Sequence, residues 1–143
     1  MNYFFSEQEQ MVKEMFSDYV DRRIIPIRHE LDEKDEFPVD IFNEMGTQDF
    51  FRIIVPEAFE GIGDSAMQIS LGIEELARGD AGIAVSFAVN AIATKGIVMF
   101  GNDEQKQTYL PKIAAGEIFT AFGLTEPNAG SDAAGLRTKA KQD

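Results

Sequence analysis

Apolar residues recur at helical spacing at Val12, Met15, Phe16, Tyr19, Val20 and Ile24, which predicts a first helix with one buried face. Ser6-Glu7-Gln8-Glu9 stands ahead of this stripe as a capping box: the Ser6 hydroxyl accepts from the first turn and Glu9 reaches back. Pro26 interrupts the pattern, but Ile27 and Leu31 keep the spacing, so the helical path is expected to continue past a kink. Pro38 opens a second, short helix with Ile41, Phe42 and Met45 on one face, ending near Gly46. Phe50 to Val55 is a short apolar run, and Pro56 to Gly63 is rich in turn residues. Helical spacing resumes at about Ser65 through Met67, Ile69, Ile73, Leu76 and Ala77, and breaks at Gly79-Asp80.

From Ala81 to Ala93 the chain is apolar all round, the pattern of a helix buried at the centre of a helical domain. The charge-free stretch Ala81 to Thr94 has 14 residues between Asp80 and Lys95, short of the roughly 20 a bilayer span requires. Asn102-Asp103-Glu104-Gln105 begins a further helix through Tyr109 and Leu110, which Pro111 either kinks or ends. After Gly116 the period changes. Residues 118–124 are β-prone, and Leu136, Thr138 and Ala140 alternate with Arg137, Lys139 and Lys141. The fold class expected is mainly α: a helical domain over 1–117, then the opening strands of an unfinished β-domain over 118–143. Two strands alone are marginal, and their exposed edges offer a route to self-association.

Composition narrows the function. The net charge of −12, with no basic tract, argues against a nucleic-acid partner and against an anionic membrane surface. With 44% hydrophobic and 27% charged residues the chain belongs with globular rather than disordered sequences. Residues 1–60 carry 15 acids and 6 bases, so most of the negative charge lies on solvated helix faces and around Asp32-Glu33-Lys34-Asp35-Glu36. The absence of cysteine removes disulfides, thiolate metal sites and a cysteine nucleophile; no metal ligand set is expected. The start Met1-Asn2-Tyr3-Phe4-Phe5-Ser6-Glu7 lacks a positive segment and a long apolar run, so no signal peptide is expected and the location expected is cytoplasmic.

The chemistry concentrates between the two β-prone segments, in Leu124-Thr125-Glu126-Pro127-Asn128-Ala129-Gly130-Ser131-Asp132. This stretch supplies hydroxyls, backbone amides and the Gly and Pro of tight turns. Residue chemistry leaves two readings open, a plain connection between strands and a nest of amides that holds an anion. Elsewhere the readings are structural. His29, the only histidine, lies beside Arg28 and Glu30 on a solvated helix face; Glu74 and Glu75, adjacent on a helix, point in different directions.

Residues 124–132 resemble the T-E-P-x-x-G-S-D signature of the acyl-CoA dehydrogenases. Glu74-Glu75-Leu76-Ala77-Arg78, Gly101-Asn102-Asp103-Glu104-Gln105-Lys106, Tyr109-Leu110-Pro111 and Val55-Pro56-Glu57 share that family's order and spacing, while Glu60-Gly61 departs from its usual Gly-Gly. The resemblance covers the whole chain. It implies FAD-dependent α,β-desaturation of an acyl-CoA thioester, with Phe122, Leu124, Thr125, Gly130 and Ser131 contacting FAD and Ser131 also reaching the CoA moiety. Phe122 stands where some members carry Tyr, so a phenolic hydrogen bond is missing there. Glu126 is expected to support the loop rather than abstract a proton, and Phe87, Ala88, Val89 and Ile92 to floor an acyl pocket. The resemblance also implies a homotetramer, an electron-transfer flavoprotein as partner, and a catalytic glutamate and a tryptophan segment beyond residue 143. The chain contains no tryptophan and no catalytic residue is assigned within it, so it is expected to be inactive alone and to hold FAD weakly. A free-standing helical interaction module of the same fold, or a related flavin oxidase or monooxygenase, are the alternatives.

Overall fold

The computed structural model describes residues 4–34, 36–63 and 65–141. Met1–Tyr3 of the leader reading, Asp35 of the acidic run and the last two residues of the 118–143 segment lie outside the described residues. Helix α1 (Glu7–Tyr19) starts on the capping box expected: the Ser6 hydroxyl accepts from the Glu9 amide at 3.3 Å and the Glu9 carboxylate accepts from the Ser6 amide at 2.7 Å. Pro26 brings no amide to the helical ladder. The chain passes it through a π-helical turn (Val20–Ile24) and a 3-10 turn (Ile25–Ile27) before helix α2 (Arg28–Lys34). Helix α3 (Val39–Thr47) follows, then a 3-10 turn over Phe50–Ile54 that buries Phe50, Phe51, Ile53 and Ile54.

Helices α4 (Ala66–Gly79) and α5 (Ala81–Phe100) share Asp80, which ends the first and caps the second by accepting from the Ile83 amide at 2.9 Å. Helix α6 (Asp103–Ala114) starts on a second capping box, Asn102 with Gln105, and runs past Pro111 rather than ending there. Helix α1 packs on α4, α4 on α5, and α5 on α6. The centre is aromatic. Phe16 of α1 meets Phe50 and Phe87 edge-on at 4.7 and 5.6 Å between centroids, and Phe51 stacks on Phe87 at 5.8 Å. Each such pair contributes on the order of 1 kcal/mol beyond its buried area. Burial, and then the Glu44 carboxylate, raise the ionisation of Tyr19 far above the usual phenol range, so its hydroxyl stays a donor, 3.4 Å from the Ile41 carbonyl.

Two sequence readings change here. Helix α5 extends to Phe100, 20 residues, past the charge-free stretch, a length and hydropathy that would suit a bilayer span. It is also not buried all round. Ile83, Ala84, Phe87, Asn90, Ala91 and Thr94 face the core, while Val85, Ile92, Met99 and Phe100 are exposed. An all-apolar sequence tells nothing about which side meets the core, because no polar stripe marks the outer face. Secondly, neither 118–124 nor 135–141 forms a strand among the described residues; the pairings outside helices are the isolated bridges Val55–Gly63 and Glu126–Ala129. A strand exists only through a ladder with a neighbour, and β-prone composition does not supply one.

Backbone crossings fix two turns. Gly46 of α3 lies against Gly116, whose φ is +70°; a Cβ on Gly46 would sit 3.0 Å from the Gly116 Cα. In the loop after Pro56, a Cβ on Gly61 would fall 1.8 Å from the Val55 carbonyl oxygen, so Gly61 has no substitute. Its neighbour Glu60, where the family pattern has Gly, adopts φ +68°, a left-handed conformation unfavourable for a residue with a Cβ. The Arg52 guanidinium holds this strained residue by donating to the Glu60 carbonyl at 2.5 Å. Glu60→Gly is therefore expected to stabilise the protein by about 1 kcal/mol, and Glu60→Val to destabilise it by a similar amount. Urea unfolding measures both; equal destabilisation by the two changes would refute the strain.

Candidate functional site

The segment that leaves α6 is the platform of the loop. Phe119 packs between Phe42 and Phe51, at 5.7 and 5.5 Å between centroids, which holds the chain against the aromatic core. The next residue is held by polar contacts. The Thr120 amide donates to Asn90 Oδ1 at 2.8 Å, and the Thr120 hydroxyl lies 2.6 Å from the same oxygen and 2.9 Å from the Asn90 carbonyl. The Thr94 hydroxyl donates to the Asn90 carbonyl at 2.8 Å, one turn on. Asn90 is buried and its Nδ2 finds no partner among the described residues, so its amide pays a desolvation cost to anchor this stretch of backbone. Asn90 is the one amide side chain in an apolar helix, and that oddity was the signal for an anchor that sequence reasoning missed.

Beyond the anchor the chain opens to solvent. Glu126-Pro127-Asn128-Ala129 forms a tight turn closed by the Glu126 amide on the Ala129 carbonyl at 3.0 Å and the Ala129 amide on the Glu126 carbonyl at 3.2 Å. Pro127, at the second position of this turn, presets its φ. Ala129 is buried, which seats the turn, and on either side of it Thr125, Gly130 and Ser131 are exposed. Among the described residues the amides of Thr125, Gly130 and Ser131 and the hydroxyls of Thr125 and Ser131 donate to nothing within the chain. Phe122 and Leu124 are exposed too, at 51% and 43%. The five residues singled out for the cofactor thus share one open stretch, with apolar surface on one part and free donors on the other. A Cβ at Gly123 would meet nothing within 4 Å and one at Gly130 would meet Thr125 only at 3.9 Å, so among the described residues nothing else fills the space next to these two glycines.

The Glu126 carboxylate is committed to the loop itself. It accepts from the Arg137 amide at 2.9 Å, from the Thr138 amide at 2.8 Å and from the Thr138 hydroxyl. These bonds, the Thr138 hydroxyl foremost, hold its ionisation below the usual carboxylate range, the reverse of what a proton-abstracting group needs at neutral pH. Glu75 and Asp21 are bound in ion pairs: Glu75 accepts from Arg78 at 3.0 Å and lies 3.6 Å from Lys13, and Arg78 crosses to Asp21 at 2.6 Å. His29 is exposed on α2. Between α4 and α5 an apolar cleft of about 290 Å³ is lined by Ile69, Ile73, Ala88, Ala91 and Ile92, with Lys95 at its edge. Of the expected pocket residues it gathers Ala88 and Ile92, while Phe87 turns into the core.

Helices in this order, ending in this exposed loop, define a known class. The family model described as acyl-CoA dehydrogenase, N-terminal domain, matches residues 6–117, and the chain belongs to the acyl-CoA dehydrogenase family. It is 39% identical over 142 residues to a probable acyl-CoA dehydrogenase of Bacillus subtilis, covering 98% of this chain and 37% of that relative. Among solved structures it resembles a chain in that of the electron transferring flavoprotein of Acidaminococcus fermentans (TM-score 0.88, 35% identity, 96% of this chain and 36% of that one). It also resembles an acyl-CoA dehydrogenase of Bacillus anthracis complexed with FAD (TM-score 0.79, 33% identity, 96% and 24%). The chain therefore spans between about a quarter and little more than a third of the length of these relatives.

The anchor is testable. Asn90→Ala removes the acceptor shared by the Thr120 amide and hydroxyl and is expected to cost about 1–3 kcal/mol. Hydrogen exchange should then speed up at Thr120 and through 124–131 well before the helices lose protection. Unchanged exchange in the loop would show that Asn90 does not hold it.

Proposed function

We propose that this chain is the amino-terminal part of an FAD-dependent acyl-CoA dehydrogenase that desaturates an acyl-CoA thioester between Cα and Cβ. Residues 1–117 are its helical domain and 118–143 the beginning of its middle β-domain. The observation that carries the reading is the set of unspent donors at Thr125, Gly130 and Ser131, all displayed by one turn. Bound FAD would accept the hydride that leaves the β-carbon. The residues of this chain fit that cofactor. Thr125 and its backbone suit the electron-rich edge of an isoalloxazine, where donors already in place stabilise the charge that develops on reduction. Phe122 and Leu124 offer apolar surface to the ring system, and Gly130 and Ser131 suit a pyrophosphate, with Ser131 also within the reach of CoA. The solved FAD complex to which the chain is similar supports this assignment.

The chain supplies binding and orientation, not the base. Glu126 is occupied, and the family resemblance supports a proton-abstracting glutamate beyond residue 143. Similarity to a chain in an electron transferring flavoprotein structure supports such a flavoprotein as the electron acceptor of the whole enzyme. A homotetramer and a cytoplasmic location belong to the same reading. The cleft between α4 and α5 suits the far end of an acyl chain, since its walls are aliphatic and Ala88 leaves room.

The test is made on the full-length protein and on the 143-residue chain. Full-length protein is expected to reduce a dye with an acyl-CoA; the chain alone is expected to be inactive and to bind FAD weakly. Thr125→Ala in the full-length protein should weaken FAD binding roughly fivefold, about 1 kcal/mol. Ala88→Phe should shift the preference to shorter acyl chains. Stoichiometric yellow FAD on the 143-residue chain, or FAD affinity indifferent to Thr125, would overturn the reading.

A further inference from the structure

Glu126 is the one residue of the signature whose backbone and side chain are both fully engaged. Its amide and carbonyl close the turn with Ala129, and its two carboxylate oxygens tie the turn to the returning segment at Arg137 and Thr138. Those 11 and 12 residues of separation enclose all of Pro127–Leu136, including Gly130 and Ser131. In an ordinary β-domain a ladder between 118–124 and 135–141 would fix this geometry, yet no ladder forms among the described residues. Resting on the flavin reading above, we propose that Glu126 is a positioning residue: its carboxylate latches Arg137 and Thr138 and thereby closes the loop that carries the Gly130-Ser131 donors beside Thr125.

The latch works only as an anion. A carboxylate accepts from three donors at once; a neutral acid has to turn one oxygen into a donor facing the Thr138 hydroxyl or an amide. The other charges on this segment are Asp132 and the side chains of Arg137, Lys139 and Lys141, and none forms an ion pair with Glu126 among the described residues. Because its partners depress the ionisation of Glu126, the latch is complete at and above the ordinary carboxyl range and is lost only as pH falls through the depressed value.

Two measurements separate the latch from the cofactor reading. In the 143-residue chain, the amide resonances of Arg137 and Thr138 are expected to titrate together, with a midpoint below that of an ordinary glutamate. Thr138→Val, which keeps both amides, should move that midpoint upward, and Glu126→Gln should abolish the titration while the helical resonances stay in place. In the full-length protein, FAD release on acidification should follow the same midpoint and move with Thr138→Val. Glu126→Gln should bind FAD about tenfold more weakly with no dependence on pH across that range. Amides that do not titrate, or a Glu126→Gln protein with wild-type FAD affinity and pH profile, would overturn the positioning role. Titrating amides in a protein that binds no FAD at any pH would instead overturn the flavin reading and, through it, the role assigned to the latch.

Discussion

The loop at 124–131 stands where it does because the two residues before it are clamped to the core by different forces. Phe119 is held by ring packing against Phe42 and Phe51, and Thr120 by hydrogen bonds to Asn90. Packing alone tolerates sliding, since apolar contact is nearly isotropic. Hydrogen bonds alone are directional but contribute little net free energy in competition with water. Together they fix both the depth and the register of the chain at the point where the helical domain ends. Phe51 also stacks on Phe87, three residues before Asn90 on the same helix, so both clamps refer to one face of α5.

Much of the helical architecture was legible because helix ends are written in local chemistry. Ser6 with Glu9 and Asn102 with Gln105 both form the reciprocal caps that their spacing predicts, and Asp80 does double duty where the pattern breaks. Pro26 and Pro111 were harder to read. A proline states that one amide is missing, but whether the helix continues depends on tertiary support. Around Pro26 the chain adapts with a π-helical turn and a 3-10 turn, and at Pro111 the helix carries on to Ala114.

What could not be read was whatever depends on distant partners. The orientation of α5 is invisible in an apolar sequence, and contacts with α4, with α6 and with the rings of Phe16 and Phe51 decide that Phe87 turns inward and Ile92 outward. The β-prone runs after Gly116 carry the propensity of strands without the neighbours that would make them strands. The loop chemistry was legible in part. Thr125, Gly130 and Ser131 stood out by motif, and Glu126 was read correctly as loop support. Its ties to Arg137 and Thr138, however, span eleven and twelve residues and follow no periodic rule. Asn90 carries a similar lesson: a polar residue in an apolar run announces a buried hydrogen bond but not its partner.

The bare contact between Gly46 and Gly116 acts as a fulcrum for everything that follows it. With no side chains between the two backbones, the angle at which the chain departs from α6 is set by main-chain atoms that cannot adjust by changing rotamer. A methyl inserted there would have to move α3 or the departing chain, and a shift of a few tenths of an ångström at the crossing would grow along the segment toward Thr125. The precision of the exposed loop is thus inherited from a site that touches no ligand and offers no functional group. In this part of the molecule, the absence of atoms is the determinant of aim.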